Sequence, residues 1–157
     1  MTLNLVRRPA GCECASIIDE LPEWFGRPDV NVAYAERAEL GLAWVAELDD
    51  RAVGLMILSD TGFSALDIHF LAVRPRAHRQ GVGRALVGRA LGEARALERP
   101  YLTVKTLGPS HGSEPYAQTR AFYRAVGFDP LEEFAAFWGP DTPCLLMVMA
   151  VPDERVG

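Results

Sequence analysis

Nowhere does this 157-residue chain hold the roughly 20 consecutive apolar residues that a membrane-spanning helix needs. Its first eight residues, Met1 to Arg8, show no basic stretch running into an apolar one, so no secretory signal is expected there. Cysteine is scarce: Cys12, Cys14 and Cys144 are odd in number and lack metal-ligand spacing. That excludes a disulfide scaffold, and reduced thiols in the cytoplasm with no bound metal are the expectation. No histidine or acid is marked out to activate a cysteine, so a nucleophilic thiol is not expected. Lysine occurs once, at Lys105, and reads as a strand-end surface residue. Internal repeats, low-complexity segments and linkers are absent, so residues 1–157 are expected to form a single domain.

What is present is the balance of an ordinary globular protein, 49% apolar and 24% charged. The net charge of -5 argues against a general nucleic-acid binder. The charge is unevenly spread. Between residues 74 and 99 stand seven arginines (74, 76, 79, 84, 89, 95 and 99) against two glutamates. Nine basic and nineteen acidic residues make up the rest. Such an island is either an anion site or a solvated helix face, and charge alone favours the face.

Alternation and periodicity predict the elements. Leu3 to Val6 reads as a short strand, and Gly11 to about Leu40 as two helices broken by Pro22 and Gly26-Arg27-Pro28, with Asp29 or Asn31 capping the second. Residues 42–48 and 52–58 form a hairpin, 59–64 a turn, and 65–73 a longer strand. Gly81 to Leu97 is helical, because Val82, Leu86, Ala90, Ala94 and Leu97 recur at three- and four-residue steps. Tyr101 to Thr106 is a strand, Gly108 to Pro115 a loop, and Thr119 to Val126 a short helix ended by Gly127. Two more strands follow, the last from Cys144 to Val151. The strand–helix–strand unit at 65–106 requires a parallel crossover. The fold class expected is therefore α/β: a single-domain mixed, mostly antiparallel sheet with a central parallel βαβ crossover and helices on both faces.

The chemistry concentrates between residues 71 and 86, Leu-Ala-Val-Arg-Pro-Arg-Ala-His-Arg-Gln-Gly-Val-Gly-Arg-Ala-Leu. A buried strand enters a loop with two glycines, and the loop opens a helix. The first N–H groups of a helix lack internal partners and carry partial positive charge. Glycine lets backbone approach a phosphate closely, and arginines attract it from a distance. Together these suit a pyrophosphate. A nucleotide P-loop would need Gly-Lys-Ser/Thr, but Arg84-Ala85 follow Gly83. A dinucleotide fingerprint would need a small residue where Leu86 stands.

This stretch resembles the acetyl-CoA-binding motif of the GNAT superfamily of N-acetyltransferases. Residues 121–128, Ala-Phe-Tyr-Arg-Ala-Val-Gly-Phe, resemble that family's second hallmark, and order and separation also match. The likeness is strong over about residues 42–130. Two positions depart from the pattern: His78 stands where Gln or Arg is usual, and Tyr116 where an Asn often contacts the cofactor.

The resemblance implies transfer of an acetyl group from acetyl-CoA to an amine of a small molecule or peptide, by direct attack on the thioester. It implies a cofactor site made by Leu71, Ala72, Val73, Arg79, Gln80, Gly81, Val82, Gly83, Arg84 and Tyr123, with Arg74 to Arg84 near the pyrophosphate or 3′-phosphate. It also implies that the strands ending at Val73 and starting at Tyr101 admit the pantetheine arm. The amine must lose a proton, the oxyanion needs donors, and the departing thiolate benefits from an acid. Asp67 and His69, two apart on the strand, are the candidate bases. An unperturbed histidine has a pKa near about 6.5. Tyr123 is the candidate acid, and a backbone N–H near Leu71 the oxyanion donor. Partners are acetyl-CoA and an amine, with neither nucleic acid nor membrane, and a homodimer is consistent with the family. The alternative is a non-catalytic acyl-CoA-binding or sensor module on the same scaffold. His111 is expected to be exposed or to line the cleft, Lys105 to be a strand-end surface residue, Trp24, Trp44 and Trp138 to be core or pocket-wall aromatics, and Glu132 and Glu133 either to bind a cationic amine or to face water.

Overall fold

A computed structural model describes residues 2–153. The strands are β1 (Leu3–Arg7), β2 (Ala43–Leu48), β3 (Arg51–Asp60), β4 (Ala65–Val73), β5 (Tyr101–Leu107), β6 (Asp129–Phe134) and β7 (Cys144–Ala150). The helices are α1 (Gly11–Asp19), α2 (Pro28–Arg37), α3 (Val82–Ala96) and α4 (Glu114–Val126), with shorter turns at Pro75–Ala77 and Pro109–His111. Seven strands hydrogen-bond in the order β1-β2-β3-β4-β5-β7-β6. The sheet is mixed and mostly antiparallel, with β4 and β5 its parallel pair, as the sequence implies. Among the described residues no helix is long and apolar enough to cross a membrane.

The chain divides into two compact units. One takes in the chain up to Leu58 and His69–Arg89, and the other Ser59–Ile68 and the chain from Ala90 onward. In the first, α1 buries Cys14, Ile17 and Ile18, spaced three and four apart on one helix face. They join Val45, Leu55, Ile57, Phe70 and Ala72 of the strands in one apolar cluster. Trp24, Phe25 and Tyr34 pack against it, half-buried. The start of α3 lies close over β3. A Cβ added at Gly54 would come 3.0 Å from Val82 Cγ1, 3.3 Å from the Ala72 carbonyl oxygen and 3.4 Å from Leu86 Cδ1.

In the second unit, β7 lies between β5 and β6 and is antiparallel to both. Leu102, Val104 and Thr106 point alternate side chains of β5 into the core. Among the described residues the buried Thr106 hydroxyl has no hydrogen-bond partner. Every residue of β6 is exposed, and its register with β7 is irregular between Pro130 and Glu132. Arg99 clamps Asp60 through two hydrogen bonds of 2.9 and 2.8 Å. These bonds hold the Asp60 carboxyl below its usual range.

Four expectations need correction. The α2 helix begins at Pro28, with Arg27 before it and no side-chain cap. Proline is favoured in a first helical turn, so Pro28 starts the helix it was expected to break. Asp29 lies inside that turn, and the Asn31 amide donates instead to the Phe25 carbonyl at 2.9 Å. The α4 helix begins five residues before Thr119. Ser113 caps it by accepting from the Tyr116 N–H, and Pro115 fits within its first turn. Leu97 lies beyond the end of α3 and is exposed, whereas Val82, Leu86, Ala90 and Ala94 are buried. Strand β3 runs on through Ser59 and Asp60, which the sequence assigns to a turn.

Substituting Gly54 by alanine places a methyl group against both a buried side chain and a backbone carbonyl. A loss of about 1–3 kcal/mol in unfolding free energy is expected. Urea denaturation checks it, and an unchanged midpoint would contradict the close packing of α3 on β3.

Candidate active site

The β4–α3 connection belongs to the first unit. After Val73 the chain is held by Arg74, whose N–H donates to the Val53 carbonyl at 2.7 Å and whose Nε donates to the Ala52 carbonyl at 2.9 Å. The Arg74 guanidinium also bonds Ser16 at 3.1 Å and pairs with Glu20. Arg74 is thus committed to Ser16 of α1 and to Glu20 just past its end. The His78 ring lies 2.7 Å from the Val73 carbonyl oxygen, and the Gln80 amide donates to the Arg76 carbonyl at 3.0 Å. His78 and Gln80 therefore brace the loop.

Two residues of this loop have left-handed backbone, Arg79 at φ 63° and Gly81 at φ 81°. They turn the chain into α3, whose first internal bond runs from the Ala85 N–H to the Gly81 carbonyl at 3.0 Å. Geometry leaves the N–H groups of Val82, Gly83 and Arg84 without an intrahelical acceptor. No acid stands in this first turn, so nothing on the helix itself offsets the positive end of its dipole. A Cβ at Gly81 would meet nothing within 4 Å, so open space adjoins this backbone. Val82 is buried, which leaves it only its main chain to offer a ligand.

The arginine island divides cleanly. Arg74 pairs with Glu20 and Arg99 with Asp60. Arg89 lies 4.7 Å from the Trp44 ring centroid, and Arg95 donates to the Pro152 carbonyl at 3.1 Å. Among the described residues Arg76, Arg79 and Arg84 form no ion pair, and all three are exposed. In sequence they flank Gly81 and Gly83.

The candidate bases differ in surroundings. In the first unit His69 is exposed on β4, and its ring centroid lies 5.5 Å from that of Tyr34. In the second unit Asp67 is 8% exposed. Its Oδ1 accepts from the Thr103 hydroxyl at 2.7 Å and lies 3.5 Å from Lys105 Nζ. The single lysine therefore has a carboxylate partner, across a register that pairs Asp67 with Thr103. Neither Thr103 nor Thr106 stood out in the sequence, since a strand threonine carries no motif.

Tyr123 is 5% exposed in α4, its ring 5.3 Å from Phe122 and 5.5 Å from Phe128, both edge-on. Near it in sequence, the loop after β5 shapes a cavity of about 370 Å³, lined by Ser110, His111, Ala135, Pro140, Asp141 and Pro143. Glu133 fastens that loop, accepting from the Ser110 N–H at 3.1 Å and hydroxyl at 2.8 Å. Trp138 is 39% exposed beside Phe137, so it is a surface aromatic and does not join the core. Burial pushes the Cys14 thiol up to about 12 and raises that of Cys144, while Cys12 is exposed.

Residues 39–130 match the family model of the acetyltransferase (GNAT) domain, and the chain belongs to that family of acetyl-CoA-dependent acetyltransferases. A GNAT-family protein from Desulfovibrio desulfuricans aligns with a TM-score of 0.84 at 20% identity, over 96% of this chain and 100% of that one. A GNAT acetyltransferase from Elizabethkingia anophelis with acetyl-CoA bound gives 0.71 at 18% identity, over 94% and 97%. Nourseothricin acetyltransferase gives 0.62 at 27% identity, over 70% and 65%. No curated protein matches the sequence significantly. Acetyl-CoA is the acyl donor of this family. The left-handed turn, the open space beside Gly81 and the three unpaired arginines fit its phosphates.

Replacing Gly81 by valine forces a β-branched residue to φ 81° and fills the space beside the turn. The strain costs about 1–2 kcal/mol of stability, and the branched side chain blocks close approach to this main chain, so acetyl-CoA affinity by calorimetry is expected to fall about tenfold. Alkylation at about pH 8.5, near the pKa of a free thiol, is expected to label Cys12 in the folded protein and spare Cys14. Peptide mass spectrometry reads the result.

Proposed function

We propose that this protein transfers the acetyl group of acetyl-CoA to an amine of a small molecule or peptide. The observation that carries the reading is the cluster of Arg76, Arg79 and Arg84, unpaired among the described residues, around a helix start with no acid in its first turn. Main-chain N–H groups of Gly81 to Arg84 hold the pyrophosphate, and the arginines add charge. When bound, acetyl-CoA supplies an activated thioester carbonyl. The backbone near Leu71 provides the donor for its oxygen.

His69 takes the base role, because its imidazole is exposed and carries a ring nitrogen that can accept a proton. Asp67 is already the acceptor for Thr103 and Lys105. It serves as their fixed negative partner on the strand that carries His69. Tyr123 supplies the proton that the departing sulfur takes up, and its burial among Phe122 and Phe128 fixes its ring.

An amine panel assayed for CoA release tests this reading. Turnover is expected with at least one amine. His69→Gln and Tyr123→Phe are each expected to lower kcat by about 10²-fold, while acetyl-CoA binding persists. Saturable acetyl-CoA binding with no turnover across the panel would instead make the chain an acyl-CoA-binding module.

A further inference from the structure

Tyr34 has no part in the chemistry above, yet its ring meets the His69 imidazole. The two centroids lie 5.5 Å apart with planes at 66°. Tyr34 stands on α2 and meets two further rings. Its ring lies 4.8 Å from Phe70 and 6.2 Å from Phe25, and Phe25 and Phe70 lie 5.3 Å apart. Phe70 is buried in the apolar cluster, so this set of rings is anchored in the core and ends at an exposed histidine.

The rotamers of a histidine side chain aim its ring nitrogens in different directions. A base must offer one nitrogen in one direction, so each wrong rotamer lowers the productive fraction. An edge-to-face ring pair at this separation favours one rotamer by about two- to tenfold. We propose that Tyr34 is a positioning residue for His69, its ring holding the imidazole in the orientation that takes the acceptor's proton. This rests on His69 being the base. The contact acts through the ring. Burial, with the nearby Cys14, raises the Tyr34 hydroxyl above its usual pKa against the opposing pull of Arg27, so the phenol stays neutral. Arg27 is a charged group that acts on Tyr34, and Asp67 stands two residues before His69 in the sequence of β4.

A double-mutant cycle on the full chain tests the proposal, using the amine that gives the fastest CoA release. Tyr34→Met is expected to lower kcat about five- to tenfold, with KM for acetyl-CoA unchanged. Tyr34→Phe keeps the ring and is expected to stay within about twofold of the starting enzyme. In the His69→Gln background, Tyr34→Met is expected to cost nothing further. The ring-current displacement of the His69 Cε1–H resonance is expected to survive Tyr34→Phe and vanish in Tyr34→Met. Phe25→Leu removes a ring that meets Tyr34 and is the second variant should Tyr34→Met fail to fold; its smaller loss of kcat is also expected to vanish in the His69→Gln background.

An additive loss in that background overturns the proposal, because Tyr34 then acts elsewhere. So does a lost ring-current displacement with unchanged kcat. If His69→Gln alone leaves kcat intact, the assignment of the base falls and the proposal with it, a result distinct from a failed cycle in which His69→Gln is impaired.

Discussion

The close approach of α3 to β3 at Gly54 governs the rest of the site. With Val82 and Leu86 seated there, the helix start can occupy only one place over the strand. The chain must then rise from Val73, reverse, and enter the helix within eight residues. Left-handed backbone at Arg79 and Gly81 makes the reversal, and Arg74, His78 and Gln80 use their side chains to hold its shape. His78 and Gln80 are spent on nearby carbonyls, while Arg76 and Arg79 stay exposed. Beside them the helix start offers main-chain N–H groups, rigid donors that cost little ordering when an anion arrives.

The arginine island shows how far sequence carries such an argument. Seven cations within 26 residues are visible at once, and the glycines between them mark the helix start. Which cations are already neutralised is invisible, because the neutralising groups are remote. Glu20 lies 54 residues from Arg74, and Asp60 lies 39 from Arg99. Asp67 was likewise legible as a strand acid beside His69, but its bond to Thr103 depends on the parallel register of β4 and β5. Tyr34 was silent in the sequence, since its approach to His69 depends on how α2 meets β4.

The elements followed the same division. Where burial repeats with a period, as in α3 and β5, the expected element is present. Where a boundary depends on a single residue, proline misled twice. Pro28 reads as part of a break and Pro115 as the end of a loop, and both sit in the first turn of a helix. A proline lacks an N–H where a first turn needs none, so its meaning depends on which side of it the helix lies. Sequence alone presents both sides equally.

The exposed strand β6 ends the sheet order and carries a consequence of its own. Another strand laid against it would find no donor at Pro130, an irregular step after it, and the carboxylates of Glu132 and Glu133. Edges guarded in this way resist the stacking of copies into fibrils. The nearby Leu131, Phe134 and Phe137, exposed as they are, thus sit on a rim where sheet growth is already blocked.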